Sequence, residues 1–571
     1  EMASTTIAGA EVATPEELDK AEASLLFASL ALVCSTFLFV FIIHHKLKFR
    51  YIPESVLTLS VGVATGAVLR LGVSTDVTNE LLNFNDSVLF CVLLPPIIFN
   101  SGYSMDHAFL FTNFTKVCVL GFVGPLVTTL VIGVPTYLAG MVMEPHLTFV
   151  ESLAFGCLMS ATDPLLTRGL FTRLRIDPVL KNLVEAEGVL IDAVAIVLFK
   201  ALDAIIVNPE PTTTNYIVAA LNFVGAFGGS ALLGLFLGGV SALTFKLLPL
   251  RQVRGLELTM LAVFCYMPFM LAEALRLSGI VAILFTGVMT RRYVRRNLSE
   301  EPRAAFDSLV ALIVKIAETV IFLGLGTSLF GFKFDNTFVH YVGFVLITLL
   351  LVVISRPITI YPLAFALNCG SRVLRRGAKS PYELTWPRKH ILCVSGVRGA
   401  IAYALALVWR GSNRDSIILA TITVVYVGTV FVGMALLPLI KCLGVQQLSK
   451  DEFDNRHALA HDMSRSKVVQ LDQRFLTPLL CVDDSNGARG AVHETVAKGA
   501  GLSETLLDGF AAEFTFDEGN EGDSPELENS PHGSPLGGPS SMAGSGLMLS
   551  PSRESDNAAA SAASAATFTA G

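Results

Sequence analysis

The chain has 571 residues, 52% of them hydrophobic and only 16% charged, with a mean hydropathy of +0.61. Soluble globular proteins carry about 25% charged residues, so this deficit excludes an ordinary cytosolic enzyme and a nucleic-acid binder, and nine scattered cysteines without paired or zinc-type spacing exclude a disulfide scaffold. The net charge of −7 is concentrated at one end: from Val445 onward 19 acidic residues stand against 8 basic ones, and before it 29 stand against 33.

In chain order, a polar, acidic leader occupies residues 1–21. Apolar runs of about 20 residues, the length a helix needs to cross hydrocarbon, then predict thirteen spans. They lie near 22–44, 53–72, 84–101, 116–141, 149–170, 180–206, 216–248, 255–275, 277–292, 306–330, 338–367, 389–409 and 415–443. The fold class is an all-α polytopic membrane protein, its transmembrane domain spanning 22–444. The first span is too long and its flank too acidic for a cleaved signal peptide, although a signal anchor fits. Across these spans Lys and Arg divide 21 to 6 between the two sides. The basic side faces the cytosol, which places the N-terminus outside or in a lumen and the acidic tail in the cytosol. Within the tail, 445–515 contains apolar clusters (Val468–Leu471, Phe475–Leu480) that predict short docked helices. Residues 516–571 are Ser, Gly, Pro, Ala and acid, and predict disorder. No hydrolytic, redox or nucleotide-binding constellation occurs, so neither an enzyme nor a cofactor is expected.

Charge in hydrocarbon is costly and marks functional sites. Here the charges cluster. The fifth span reads Ser160-Ala161-Thr162-Asp163-Pro164, and a proline there frees an upstream carbonyl, a break tolerated in lipid only where it is buried or lines a cavity. The sixth carries Glu185, Glu187 and Asp192, with 185 and 192 about 700° apart on the helix and therefore on one face. The tenth holds Lys315 and Glu318, spaced to pair. The eleventh holds Arg356 before Pro357, and the twelfth reads Ser395-Gly396-Val397-Arg398-Gly399. The fifth and twelfth spans, seven apart, combine interruption with charge. Inverted repeats of spans 1–6 and 8–13 would make them equivalent, the pattern of a secondary transporter whose broken helices cross at the midplane.

These segments resemble the eukaryotic sodium/proton exchangers. Leu94-Pro95-Pro96-Ile97-Ile98-Phe99-Asn100-Ser101-Gly102-Tyr103 is similar to their third-span signature, and Ser160–Pro164 with Glu187-Gly188-Val189-Leu190-Ile191-Asp192-Ala193-Val194 to their paired fifth- and sixth-span motifs. Ala317-Glu318-Thr319-Val320-Ile321-Phe322, Arg356 through Leu363, and Ser395 through Ala402 resemble the tenth-, eleventh- and twelfth-span motifs. Tyr361-Pro362-Leu363, Ile52-Pro53-Glu54-Ser55 and Asp472 to Pro478 look closest to the organellar branch. The resemblance implies an exchange of Na⁺ or K⁺ for H⁺ and a homodimer in the bilayer, and with one carboxylate at the 191–192 pair the exchange is expected to be electroneutral. It also implies a Golgi or endosomal address, with the plasma membrane as alternative, and tail partners of unspecified identity. In each protomer a scaffold (spans 1–3 and 8–10) carries a mobile core (4–6 and 11–13). It assigns cation and proton binding to Asp192, with Asp163, Thr162 and Ser160 at the crossing. Glu187 with Arg356 is a stabilising pair, and Glu318 and Arg398 are further buried charges. Desolvation disfavours the charged form of a carboxylate, which keeps protons competitive with a hard cation that prefers oxygen ligands.

Three departures stand out. The residue before the key aspartate, Asn in electroneutral members and Asp in electrogenic relatives, is Ile191. Arg168 and Glu185 occupy positions that are usually apolar, and Asn100 stands where the organellar branch often has Glu. Arg168 fits an approach to Glu185, an approach to Asp192, or a snorkelling role at the interface. Compensation between Arg168 and Glu185 that alters selectivity is one reading. A transport-impaired homologue acting as a sensor or scaffold through its tail is the other.

Overall fold

Prolines, glycines and buried charge decide where the helices of this chain bend, break and meet. The computed structural model describes residues 15–45, 54–72, 86–174, 176–208, 212–248, 250, 255–330, 338–374, 384–443 and 471–481. The start of the leader, most of 445–515 and all of 516–571 lie outside the described residues. The helices are α1 (Pro15–His45), α2 (Glu54–Gly72), α3 (86–104), α4 (His107–Thr112), α5 (Phe114–Gly140) and α6 (Phe149–Leu158). They continue with α7 (Leu165–Arg173), α8 (Pro178–Ile206), α9 (Thr213–Leu247), α10 (Leu256–Ala274), α11 (279–297) and α12 (Glu300–Ser328). The last are α13 (Phe338–Leu374), α14 (Trp386–Val394), α15 (Ala400–Leu407), α16 (Arg414–Cys442) and α17 (472–480).

Helix occupies each apolar run predicted as a span, and the fifth and twelfth runs are split in two, as α6/α7 and α14/α15. Seven of the described helices are long and apolar enough to cross a membrane by length and composition alone. The long α8 is of another kind: residues 182–197 are buried without interruption although Glu185, Glu187 and Asp192 lie among them. A helix buried on every face is a core element, and its carboxylates must find partners inside the protein. By contrast α9 and α13 expose Leu232, Phe236, Leu346, Leu350 and Val353, the outward apolar surface that a bilayer covers.

Local chemistry sets the irregularities. In α3 a π turn at Leu89–Leu93 precedes Pro95. Because Pro95 has no N–H to offer, the carbonyl of Cys91 is left over and accepts the Tyr266 hydroxyl of α10 instead. A second π turn, Val119–Val123, precedes Pro125 in α5. Small residues allow close helix approach: α2 meets α12 where Gly62 faces Gly326, and a Cβ on Gly62 would lie 3.0 Å from the Gly326 Cα.

Packing divides the helices into two groups. In one, α2 lies on α12, α3 on α11 and α12, and α10 on α11. In the other, α5 lies on α6 and α13, α6 on α8, and α16 on α13 and α15. The long α9 touches both through α8 and α11. The two broken helices belong to the second group, and their interruptions face the first.

Candidate ion-binding site

The first break begins with a well-defined helix start. Thr148 and Glu151 form a capping box at the N-terminus of α6, and that helix stops at Leu158. At its C-terminal end the Ser160 hydroxyl donates to the Cys157 carbonyl at 2.7 Å. After Pro164 the chain turns helical again, the Arg168 N–H reaching the Pro164 carbonyl at 2.8 Å. The second break is built differently. The Ser395 hydroxyl donates to the Leu392 carbonyl at 3.0 Å, and the same carbonyl accepts Arg356 Nη2 at 3.0 Å. Arg356 therefore places positive charge at the C-terminal end of α14, where the helix dipole is negative.

The two breaks touch through the backbone: the Asp163 N–H donates to the Val397 carbonyl at 2.7 Å. This approach requires Gly399, because a Cβ there would overlap the Asp163 side chain. Gly396 is required for a similar reason, since a Cβ would enter the Arg356 guanidinium. Beside the crossing, α8 brings Asp192, which is 5% exposed. The Thr162 backbone N–H faces its carboxylate, while Oδ1 has no hydrogen-bond partner among the described residues. Arg398, 1% exposed, donates weakly to the Gly396 carbonyl at 3.4 Å. Its Nε and Nη2 have no such partner among the described residues, and its charge lies within reach of Asp192 and Glu187.

A small pocket lies between the two helix groups at this point. It is lined by Thr162, Asp163 and Asp192 from one side and by Ser101, Glu318 and Phe322 from the other. A smaller space behind the crossing is bounded by Thr162, Pro164, Glu187, Gly188, Arg356 and Ser395. Glu187 and Arg356 are 3.2 Å apart and both buried. Ser160 is buried but lines neither space. Three carboxylates and two hydroxyls thus converge on one otherwise apolar cavity, oxygen groups of the kind a hard monovalent cation prefers.

Two expectations from spacing need correction or completion. The i,i+3 pairing of Lys315 with Glu318 is not the one formed. Lys315 bonds Glu54 at the start of α2, because α2 packs along α12 and offers a carboxylate nearer the wet helix end. Arg168 chooses Glu185, at 3.0 Å, among its open alternatives, and its Nη1 also donates to Ser104 of α3 at 2.9 Å. Sequence reasoning missed the neighbouring link in which Asn182 donates to Asp106 at 2.8 Å. It also missed the Asp307 carboxylate, which receives Tyr103 at 2.5 Å and Arg295 at 2.7 Å. Neither pairing has a local signal, since the partners of the first are 76 residues apart and Tyr103 lies 204 residues from Asp307.

The chain as a whole resembles known proteins. The sequence profile described as "Sodium/hydrogen exchanger, transmembrane" matches residues 32–442. The chain is 33% identical over 450 residues to sodium/hydrogen exchanger 8 of Homo sapiens, covering 76% of this chain and 74% of that protein. It is 33% identical over 404 residues to sodium/hydrogen exchanger 5 of Arabidopsis thaliana, covering 69% and 75%. In fold it resembles the sodium proton antiporter MjNhaP1 of Methanocaldococcus jannaschii, with a TM-score of 0.56 at 18% identity over 75% of this chain and 100% of that one. The protein is an integral membrane protein with the all-α antiporter fold, and it belongs to the sodium/hydrogen exchanger family of cation/proton antiporters.

Proposed function

We propose that the protein exchanges Na⁺ or K⁺ for H⁺ by alternating access, one cation against one proton. The observation that carries this reading is the Asp192 carboxylate, buried on the cavity at the crossing with one oxygen that no described protein donor occupies. A buried anion of this kind needs a counter-charge, and a proton or an alkali cation supplies it equally well. Occupancy by either one therefore stabilises the crossing, and the empty, charged state is the least favourable one to move.

Asp163, Thr162 and the backbone of the break complete the cation's oxygen environment, with Ser160 supporting it from the end of α6. The preceding residue, Ile191, is buried and apolar, so Asp192 is the single titrating group of the pair, which supports electroneutral exchange. Arg398 holds positive charge close to Asp192, and the Glu187–Arg356 pair ties α8 to α13 and to the end of α14. Glu318 faces the crossing from α12. Helix α8 with the two broken helices forms the moving core within the 22–444 exchanger domain, sliding against α2, α3, α11 and α12. A homodimer, an organellar membrane and a cytosolic tail belong to the same proposal. The 21-to-6 bias of Lys and Arg supports the side of the tail, and the branch motifs at Tyr361–Leu363 and Asp472–Pro478 support the compartment.

The test is dissipation of a pH gradient in proteoliposomes on adding Na⁺, K⁺ or Li⁺. Flux in the wild type that Asp192→Asn removes supports the exchanger, and the ion series sets its preference. Absence of flux from folded wild-type protein, with flux gained in Ile191→Asn, would show that Ile191 has switched transport off.

A further inference from the structure

Residues 471–481 return to the transmembrane domain and are held there by the Asp472 carboxylate and by backbone carbonyls near the segment's C-terminal end. Asp472 is 3% exposed. One of its oxygens accepts Arg292 Nη2 at 2.5 Å and Nε at 3.2 Å, and the other accepts the Tyr293 hydroxyl. A buried charge is tolerated only with such complete pairing, so the docking is specific. The far end of α17 is fixed as well. Lys246 donates to the carbonyls of Pro478 and Leu479 at 2.6 and 3.0 Å, a cation at a helix C-terminus. Asn297 bridges the Ala242 and Leu480 carbonyls at 2.9 and 2.8 Å.

All these anchors sit at the basic ends of α9 and α11, where Lys246 and the Arg291–Arg296 cluster mark the headgroup level on the cytosolic side. Asp472, Leu480 and Cys481 face the protein, and the segment exposes Leu471, Phe475, Leu476 and Leu479, which are 61, 61, 42 and 58% exposed, together with Gln473 and Arg474. Arg474 lies against the Phe475 ring, 5.8 Å from its centre. The lipid-facing surface of α9, with Phe236 and the exposed Leu247 next to Lys246, leads toward this patch. Apolar side chains with a cation, beside the basic helix ends, are the pattern of an interfacial helix. The surrounding arginines suit an anionic leaflet.

We infer that α17 is a membrane-interface clip: the Asp472–Arg292–Tyr293 cluster pins it to α11, and Leu471, Phe475, Leu476 and Leu479 rest on the cytosolic lipid surface. The tail beyond it then starts from a fixed point on the bilayer beside the α9 and α11 ends. A segment this short cannot hold a membrane through its own apolar area, so the protein anchors set its position and the lipid covers what they leave exposed.

The test uses the full chain in phosphatidylcholine–phosphatidylserine vesicles, comparing Phe475→Trp and, separately, Leu479→Trp with the parent that keeps Trp386 and Trp409. The clip predicts that acyl chains brominated near the carbonyl quench most of the added emission, and aqueous acrylamide little of it. In Phe475→Trp combined with Asp472→Asn, the added emission should shift to the red and become open to acrylamide. Quenching by acrylamide alone in the single variants would overturn the inference by placing the face in water. Resistance to both quenchers would also overturn it, by placing another protein surface, such as a second copy, over the patch. The readout is independent of transport, so the inference stands or falls separately from the exchange reaction.

Discussion

The two interruptions at the crossing do one geometric task with opposite chemistry. At 159–164 the chain leaves the helix after Leu158 and resumes it after Pro164, and the break carries a carboxylate, two hydroxyls and a backbone N–H turned toward Asp192. At 395–399 it is stopped between two glycines, and the break carries Arg398, whose guanidinium is buried with little hydrogen bonding of its own. The first places oxygen atoms at the pocket. The second supplies fixed positive charge and the space, at Gly396 and Gly399, in which Arg356 and Asp163 sit. The two breaks thus share a shape and differ in charge while keeping the backbone contact at Val397.

That contrast can be tested from the largest effect downward. Asp192→Asn should reduce ion-dependent proton flux to the level of protein-free vesicles while the protein still folds, because it removes the titrating charge and keeps the shape. Next, replacing one partner of the Glu187–Arg356 pair, as in Glu187→Gln, should cost about 3–5 kcal/mol, read as a lowered melting temperature in detergent. Replacing both by apolar residues of similar volume should recover much of it. Gly399→Ala should destabilise by about 1–3 kcal/mol through overpacking against Asp163 and depress flux. At the first break, Gly188→Ala meets Pro164 at 3.0 Å and should be milder, because ring atoms shift more easily than two backbones held together. The smallest effect belongs to Arg168→Gln. Its pair with Glu185 is a third exposed on the Arg side, and such pairs contribute about 0–1 kcal/mol. A large loss of flux with unchanged melting temperature in that variant would move Arg168 from support into the transport cycle.

The positions of the breaks were legible because their causes are local. Pro164 lacks a donor wherever it sits in a helix, and a run such as Ser395–Gly399 interrupts apolar periodicity in plain view. The burial of α8 was legible for another reason: three carboxylates in an apolar run have no acceptable place on a lipid-facing surface. Partner choice was far less so. Lys315 had a neighbour at the right helical spacing and bonded Glu54 instead, since the packing of α2 on α12 brings Glu54 to the Lys315 side while Glu318 turns toward the pocket. For Arg168, reach alone allowed several partners, and the placement of α3 settled on Ser104 together with Glu185.

By itself the sequence determined that this chain lives in a membrane, which stretches are helical, where two of them break, and which family it joins. Hydropathy, proline and buried charge act within a few residues of one another, so those features are written locally. Only the tertiary structure decided what meets what. It put the Asp163 N–H on the Val397 carbonyl, buried Asp192 Oδ1 without a described donor, and brought Asp472 back across 180 residues to Arg292. Such contacts depend on the relative placement of whole helices, which the summed packing of many side chains fixes and no single run of residues contains.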